Sequence, residues 1–287
     1  MFEIKTEMTP SVFPQKKHFM TYPVTFFNVH LHFIFEILSY TIGFRYYLIL
    51  RKKTTDLISE SDRMTIFIGA AAGAFVGSHA LGILEKPLPN NLSALQFMLF
   101  FMANKTVLGG FLGGLIGVEW TKKMINVRTS SGDLMVFPLL LGLIIGRIGC
   151  HLEGLEDGTF GNATTLPWGI DFGDGISRHP TNLYEIIFLI TLWLSIIYLE
   201  KNGKFRHLTS DVELLQKSEI ENQKSNIKHP LSNGSRFKIF LSGYLIFRFF
   251  IEFLKPVYFL PMGLSSIQIA ALLGLFYYVI LFFKLKF

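Results

Sequence analysis

Seven apolar stretches divide this chain, at approximately 31–50, 64–84, 93–118, 134–149, 183–199, 237–254 and 264–283. A helix crosses about 30 Å of hydrocarbon at about 1.5 Å per residue and so needs roughly 20 apolar positions. The stretches reach or approach that length. Half of the 287 residues are apolar and 30 are Phe, a balance that no single soluble core requires, so lipid is the solvent for most of the surface. The expected fold is an all-α polytopic membrane protein with about seven transmembrane helices. The third stretch is too long for one straight span. It holds Asn104-Lys105 followed by GGFLGGLIG, which reads either as a tilted helix or as a short apolar approach that breaks near Asn104 and resumes.

Basic residues in the connections set the expected orientation. Arg51, Lys52, Lys53 and Arg63 follow the first stretch, Lys122, Lys123 and Arg128 the third, seven residues from Lys201 to Arg236 the fifth, and Lys284 and Lys286 the last. The opposite set holds only Lys5, Lys16, Lys17, Lys86, Arg178 and Lys255. The richer side is cytoplasmic by the positive-inside bias, which places the N-terminus outside and the C-terminus inside. Residues 1–30 carry no apolar run with a small-residue cleavage site and are expected to remain as an extracytoplasmic tail. Residues 31–285 then form one integral membrane domain, with an outer cap at 150–182 and a polar cytoplasmic loop at 200–236. The surplus of Lys and Arg is assigned to lipid headgroups, and no nucleic-acid partner is expected. The single cysteine and the lack of a Cys/His pair at metal-binding spacing give no reason to expect a metal or other cofactor.

In that topology the charges within or beside the spans gather at one face. Arg147 ends the fourth stretch, Glu185 begins the fifth, Arg248 and Glu252 lie in the outer half of the sixth, and Glu36 in the outer half of the first. A charge near the bilayer centre costs about 2.5–3.5 kcal/mol on insertion scales, so such a gathering calls for a ligand. Guanidinium binds phosphate oxygens in pairs and keeps its charge in a dry site, which suits a phospholipid headgroup. Plainer readings stand beside this one. Arg248 and Glu252 are four apart on one helix face and can neutralise each other. Arg147 can snorkel to the interface. Lys105 can reach the same cavity or pair with Glu36. Glycines 109, 113 and 117 form a small-residue stripe that first suggests close helix packing. Arg45, Tyr46 and Tyr47 read as an interfacial belt.

Residues 146–185, GRIGCHLEGLEDGTFGNATTLPWGIDFGDGISRHPTNLYE, are dense in Gly, Pro, Asp and Asn and read as an ordered, repeatedly turning cap over these charges. Trp168 reads as an interfacial anchor. Asp157, Asp171 and Asp174 are assigned to turn chemistry rather than to a metal.

Within this segment GRIG at 146–149, LPWG at 166–169 and RHPTNLYE at 178–185 resemble the central signature of the prolipoprotein diacylglyceryl transferases, GRIGNFxNG, PWG and RHPSQLYE. GYLIFRFFIEFLKP at 243–256 and GGLIG at 113–117 extend the resemblance over roughly residues 30–285. The resemblance implies transfer of a diacylglyceryl group from phosphatidylglycerol to the lipobox cysteine of a prolipoprotein in the bacterial inner membrane, around a central lipid cavity. It makes Arg147 and Arg248 stabilisers of the departing glycerol phosphate, oriented by Glu185 and Glu252, with Arg178 and His179 in a matched motif and Gly158 where a family glycine follows GRIG. Three positions depart from the pattern. Leu112 stands where the family has the histidine of HGGLIG, Cys150 where it has an asparagine, and Glu36 aligns with an aromatic tyrosine. His179, His151 and Glu36 are then candidates to take the thiol proton. Cys150 is a covalent relay or a small packed residue. A related transferase with another acceptor, a non-catalytic phospholipid-binding protein and a transporter are the competing functions; mid-membrane charge would favour the last.

Overall fold

The computed structural model describes residues 22–27, 29–54, 58–86, 91–202 and 234–284. The N-terminal tail expected at 1–30 and the polar loop at 200–236 lie largely outside the described residues. Among the described residues eight helices follow in order: α1 Leu31–Lys53, α2 Glu60–Ile83, α3 Ala94–Ala103, α4 Val107–Met124, α5 Val136–Glu153, α6 Thr181–Lys201, α7 Ser235–Ile251 and α8 Ser266–Lys284. Four of them, α1, α2, α6 and α5 with the turn before it, are long and apolar enough to cross a membrane; α3 and α4 taken as one broken span make five. The protein is a polytopic helical membrane protein. Against the expected seven spans, α7 has 17 residues and α8 is described as an apolar helix only over 266–281.

Of the two readings of the third stretch, the structure takes the break: α3 and α4 meet at 94°. Asn104 leaves the helical region and Thr106 restarts it, its hydroxyl accepting from Gly109 N at 3.1 Å. A broken helix frees carbonyls that lipid cannot satisfy. Here α2 supplies the partners. His79 Nδ1 lies 2.9 Å from Phe101 O and 3.0 Å from Asn104 O, and Thr106 N donates to Ser78 O at 3.0 Å. Gly82 admits this approach, since a Cβ there would meet the Asn104 carbonyl carbon at 2.6 Å.

Along the rest of α4 the glycine stripe packs on a second stripe. Gly69, Gly73 and Gly77 of α2 face Gly117, Gly113 and Gly109, backbone on backbone, and a Cβ on Gly113 would run into Gly73 O and stand 2.8 Å from Gly77 Cα. Helices in lipid associate through such close contact rather than through hydrophobic collapse. Replacing Gly113 with valine is expected to force the pair apart at a cost of about 3 kcal/mol or more, the upper end of overpacking. Thermal unfolding in detergent checks this, with Gly110→Ala as the tolerant neighbour, because a Cβ at Gly110 meets nothing nearer than 3.7 Å.

The core lies among α4 to α8, around Leu108, Leu140, Leu189, Phe240, Leu241 and Tyr244, all fully buried. At one end of the bundle Asp133 caps α7, accepting from Gly234 N at 2.7 Å and Phe237 N at 2.9 Å, while Arg236 pairs with Glu200 at 2.5 Å. The other end is closed by the 154–180 segment. Its hairpin pairs β3 Ile170–Asp171 with β4 Ser177–Arg178, and Gly161, Asn162 and Thr164 join the same ladder. Asn162 N donates to Leu254 O at 2.7 Å, tying the cap to the end of α7. Asp171 Oδ1 accepts from Gly173 N and Gly175 N, the turn chemistry that a Gly/Asp-rich segment specifies.

Candidate functional site

Beneath the cap, α5, α6 and α7 converge so that their charged side chains face one another. Arg147 Nε lies 2.9 Å from Glu185 Oε2, and Arg248 Nη1 lies 3.8 Å from the same oxygen. The other Glu185 oxygen accepts from Tyr244 OH at 2.8 Å. Arg248 Nη2 bonds Glu252 Oε2 at 3.2 Å. All four ionic residues are buried, Glu185 and Glu252 to 1 % exposure. One carboxylate is thus shared between two guanidiniums. Unpaired charges would cost several kcal/mol each in such a setting, so the network is held by mutual compensation. The compensation is incomplete at one atom: Arg248 Nε is buried with no hydrogen-bond partner among the described residues.

The structure adds residues that depth and motif did not single out. Lys255, counted in the sequence only as a loop charge, is 9 % exposed, because a 3-10 turn over Glu252–Leu254 carries the chain back at the end of α7. Burial, reinforced by the like charges of Arg248 and Arg147, pulls its ammonium down to about 8. Glu85, just past α2, is raised above the ordinary carboxylate value by burial and then by the charge of Glu252. Gln268, fully buried, fixes the last turn of α7 through Phe249 O at 3.1 Å. A polar residue at a helix start was the only signal for it.

Other candidates sit elsewhere. Arg178 forms a forked pair with Asp174, at 2.6 and 2.7 Å, and holds that carboxyl below its ordinary value on the exposed cap. His179 Nδ1 faces Tyr184 OH at 3.3 Å, and Tyr184 also accepts from Trp168 Nε1. Among the described residues no hydrogen bond or ion pair links His179 to the arginines. His151 stands edge-on to Tyr22 and Phe172, with Nδ1 buried and without a hydrogen-bond partner among the described residues. Lys105 pairs with Glu36 at 3.2 Å, both partly exposed. Gly158 has φ +69°, which a side chain would strain, and open space around it. Cys150 Sγ lies 3.7 Å from Arg147 Nη1. Leu112 packs its side chain toward Gly274 on α8.

Fold and site together define a helical membrane protein with a buried arginine–glutamate cluster where three helices meet beneath a turn-rich cap. The family model of prolipoprotein diacylglyceryl transferases matches residues 20–284, nearly all of the chain, and the chain belongs to that family of transferases. It is similar to the phosphatidylglycerol–prolipoprotein diacylglyceryl transferase of Wolbachia pipientis subsp. Culex pipiens, with 26 % identity over 190 residues, 62 % of this chain and 71 % of the relative. The protein so named in Geobacter sulfurreducens is 28 % identical over 184 residues, 59 % of this chain and 70 % of that one. In Glaesserella parasuis the identity is 29 % over 150 residues, 51 % of this chain and 45 % of the relative.

Proposed function

We propose that this chain moves a diacylglyceryl group from phosphatidylglycerol to the thiol of a prolipoprotein lipobox cysteine, with glycerol phosphate as the leaving group. The observation that carries the reading is the unpartnered Arg248 Nε–H in a buried cluster where two guanidiniums already share one carboxylate. A phosphate entering there satisfies the open donor and takes the place of part of the Glu185 contact. Charge then builds on the departing phosphate, and donors preset in a dry site stabilise it most in the transition state. Glu185 and Glu252 orient the two arginines, and Lys255 adds a third positive charge. Gly158, Arg178 and the Lys105–Glu36 pair line the approach of the lipid and the peptide.

The reading carries the topology expected from the sequence: seven spans in the bacterial inner membrane, the cluster at the outer leaflet, and the N-terminus outside. The incoming sulfur must react as thiolate. Among the described residues none of the candidates to take its proton, His179, His151 and Glu36, is hydrogen-bonded to the arginines. The test is release of glycerol phosphate from phosphatidylglycerol by the detergent-purified protein with a lipobox peptide present, absent, or carrying Ser for Cys. Release that requires the cysteine supports the transferase. Release without peptide, or specific lipid binding with no release, replaces it with another acceptor or with a binding protein.

Lys255 supplies a pH signature. As pH rises through about 8 its ammonium loses the proton and the cluster loses one positive charge. Retention of the anionic headgroup is therefore expected to weaken between about pH 7 and 9, and Lys255→Arg to remove that dependence. Stability moves oppositely. Between about 8 and the ordinary lysine value of 10.5 the unfolded chain binds more protons than the folded one, so resistance to unfolding rises with pH across that window.

A further inference from the structure

Beside the arginines, three potential metal ligands from separate parts of the chain come together. His32 from the first turn of α1, Cys150 from the last turn of α5 and Asp157 from the start of the cap each offer a ligand atom, and these atoms all lie within 4.8 Å of one another. Tetrahedral zinc, with bonds of about 2.0–2.3 Å to N, O and S, needs its ligands roughly 3.3–3.8 Å apart, so closure takes movements of about 1 Å or less. His32 Nδ1 is already 3.6 Å from Asp157 Oδ1. That is too long for a hydrogen bond, and the nitrogen is buried with no hydrogen-bond partner among the described residues. The other carboxylate oxygen is occupied, since Thr159 Oγ1 donates to Asp157 Oδ2, which turns Oδ1 toward the imidazole. A plain ion pair would bring the two into bonding contact.

We propose that His32, Cys150 and Asp157 form a site for a zinc-class divalent cation, with the fourth position left for the substrate thiolate. Imidazole, thiolate and carboxylate are the donor set that suits zinc, and three protein ligands with one open position is the pattern of catalytic zinc. The inference rests on the lipobox-thiol reading and deepens it. Coordination deprotonates a thiol outright, and its proton leaves to water. The thiolate then forms the C–S bond at the diacylglyceryl carbon as the C–O bond to phosphate breaks, and the electron pair leaves on glycerol phosphate. Cys150 Sγ is 3.7 Å from Arg147 Nη1, so the proposed site adjoins the phosphate cradle. The neighbouring His30, Glu153 and Glu156 are a different case. His30 is 2.6 Å from Glu153 Oε1, already paired and exposed, and the group contains no sulfur.

The experiment uses Co²⁺ as the probe on the full-length protein stripped with a chelator. One equivalent of Co²⁺ is expected to bind with thiolate-to-cobalt charge-transfer absorption in the near ultraviolet. Cys150→Ser should abolish that band, and Asp157→Asn or His32→Ala should weaken Co²⁺ binding by 10-fold or more, whereas His30→Ala should leave the band unchanged. A lipobox peptide with Cys should intensify the band, and the Ser peptide should not. No band, or a band that survives Cys150→Ser, overturns the site; a band indifferent to the Cys peptide overturns the thiolate role. Glycerol phosphate release is measured alongside. Peptide-dependent release by the metal-free protein at the full rate sinks this inference and leaves the transferase reading intact. A cysteine-dependent band that the Cys peptide intensifies, with no release, preserves the site and removes the transferase.

Discussion

Alanine at Arg248 is expected to lower peptide-dependent release of glycerol phosphate by about 10²–10³-fold, the loss typical when one preset donor to a developing anion is removed. Arg147→Ala should act alike, because both guanidiniums meet at Glu185 Oε2 and a phosphate replacing that contact touches both. Lysine is not expected to rescue either position. It offers a single hydrated point charge where the site holds a planar fork, and Arg248 uses two nitrogens toward its carboxylates while a third stays open. Lys123→Ala, at the opposite end of the bundle, serves as the control. Rates like wild type in both arginine variants would remove the phosphate cradle from the mechanism.

The second large effect concerns folding. Glu185→Ala strips one carboxylate from two buried guanidiniums and from the Tyr244 hydroxyl. Breaking a buried pair by removing one partner costs about 3–5 kcal/mol, since the remaining charge is left uncompensated. At roughly 2–4 °C per kcal/mol for a chain approaching this size, thermal unfolding in detergent should fall by about 10 °C. Arg147→Met combined with Glu185→Leu should recover most of that loss, because Arg248 keeps Glu252 and nothing charged is left alone. A double variant as unstable as the single one would show that the carboxylate acts through something other than charge compensation.

Much of this arrangement was legible in the sequence. Charge is so disfavoured in lipid that each ionisable residue inside a span carries positional information, and depth puts Arg147, Glu185, Arg248 and Glu252 at one face together with Glu36, which in the structure pairs with Lys105 instead. The break near Asn104 was readable as one of two options; what decided it lies on α2, where His79 and Gly82 receive the freed backbone. Legibility ended where chain direction changes outside regular structure. Lys255 reads as a loop charge until a 3-10 turn folds it under the cap. The approach of His32 to Asp157 joins residues far apart in sequence, and no spacing rule connects them. Asp157 looks like Asp171 and Asp174 in composition, yet those two accept from neighbouring backbone amides while Asp157 faces an imidazole.

The glycine seam between α2 and α4 has a thermal consequence. Contacts that depend on releasing water from apolar surface weaken on cooling and carry a large heat-capacity change. Along Gly69, Gly73, Gly77, Gly109, Gly113 and Gly117 there are no side chains to settle and, in the bilayer, no water to expel on pairing. Its cohesion is dispersion and close backbone contact, which change little with temperature. The two helices should therefore stay joined in the cold as firmly as in the warm.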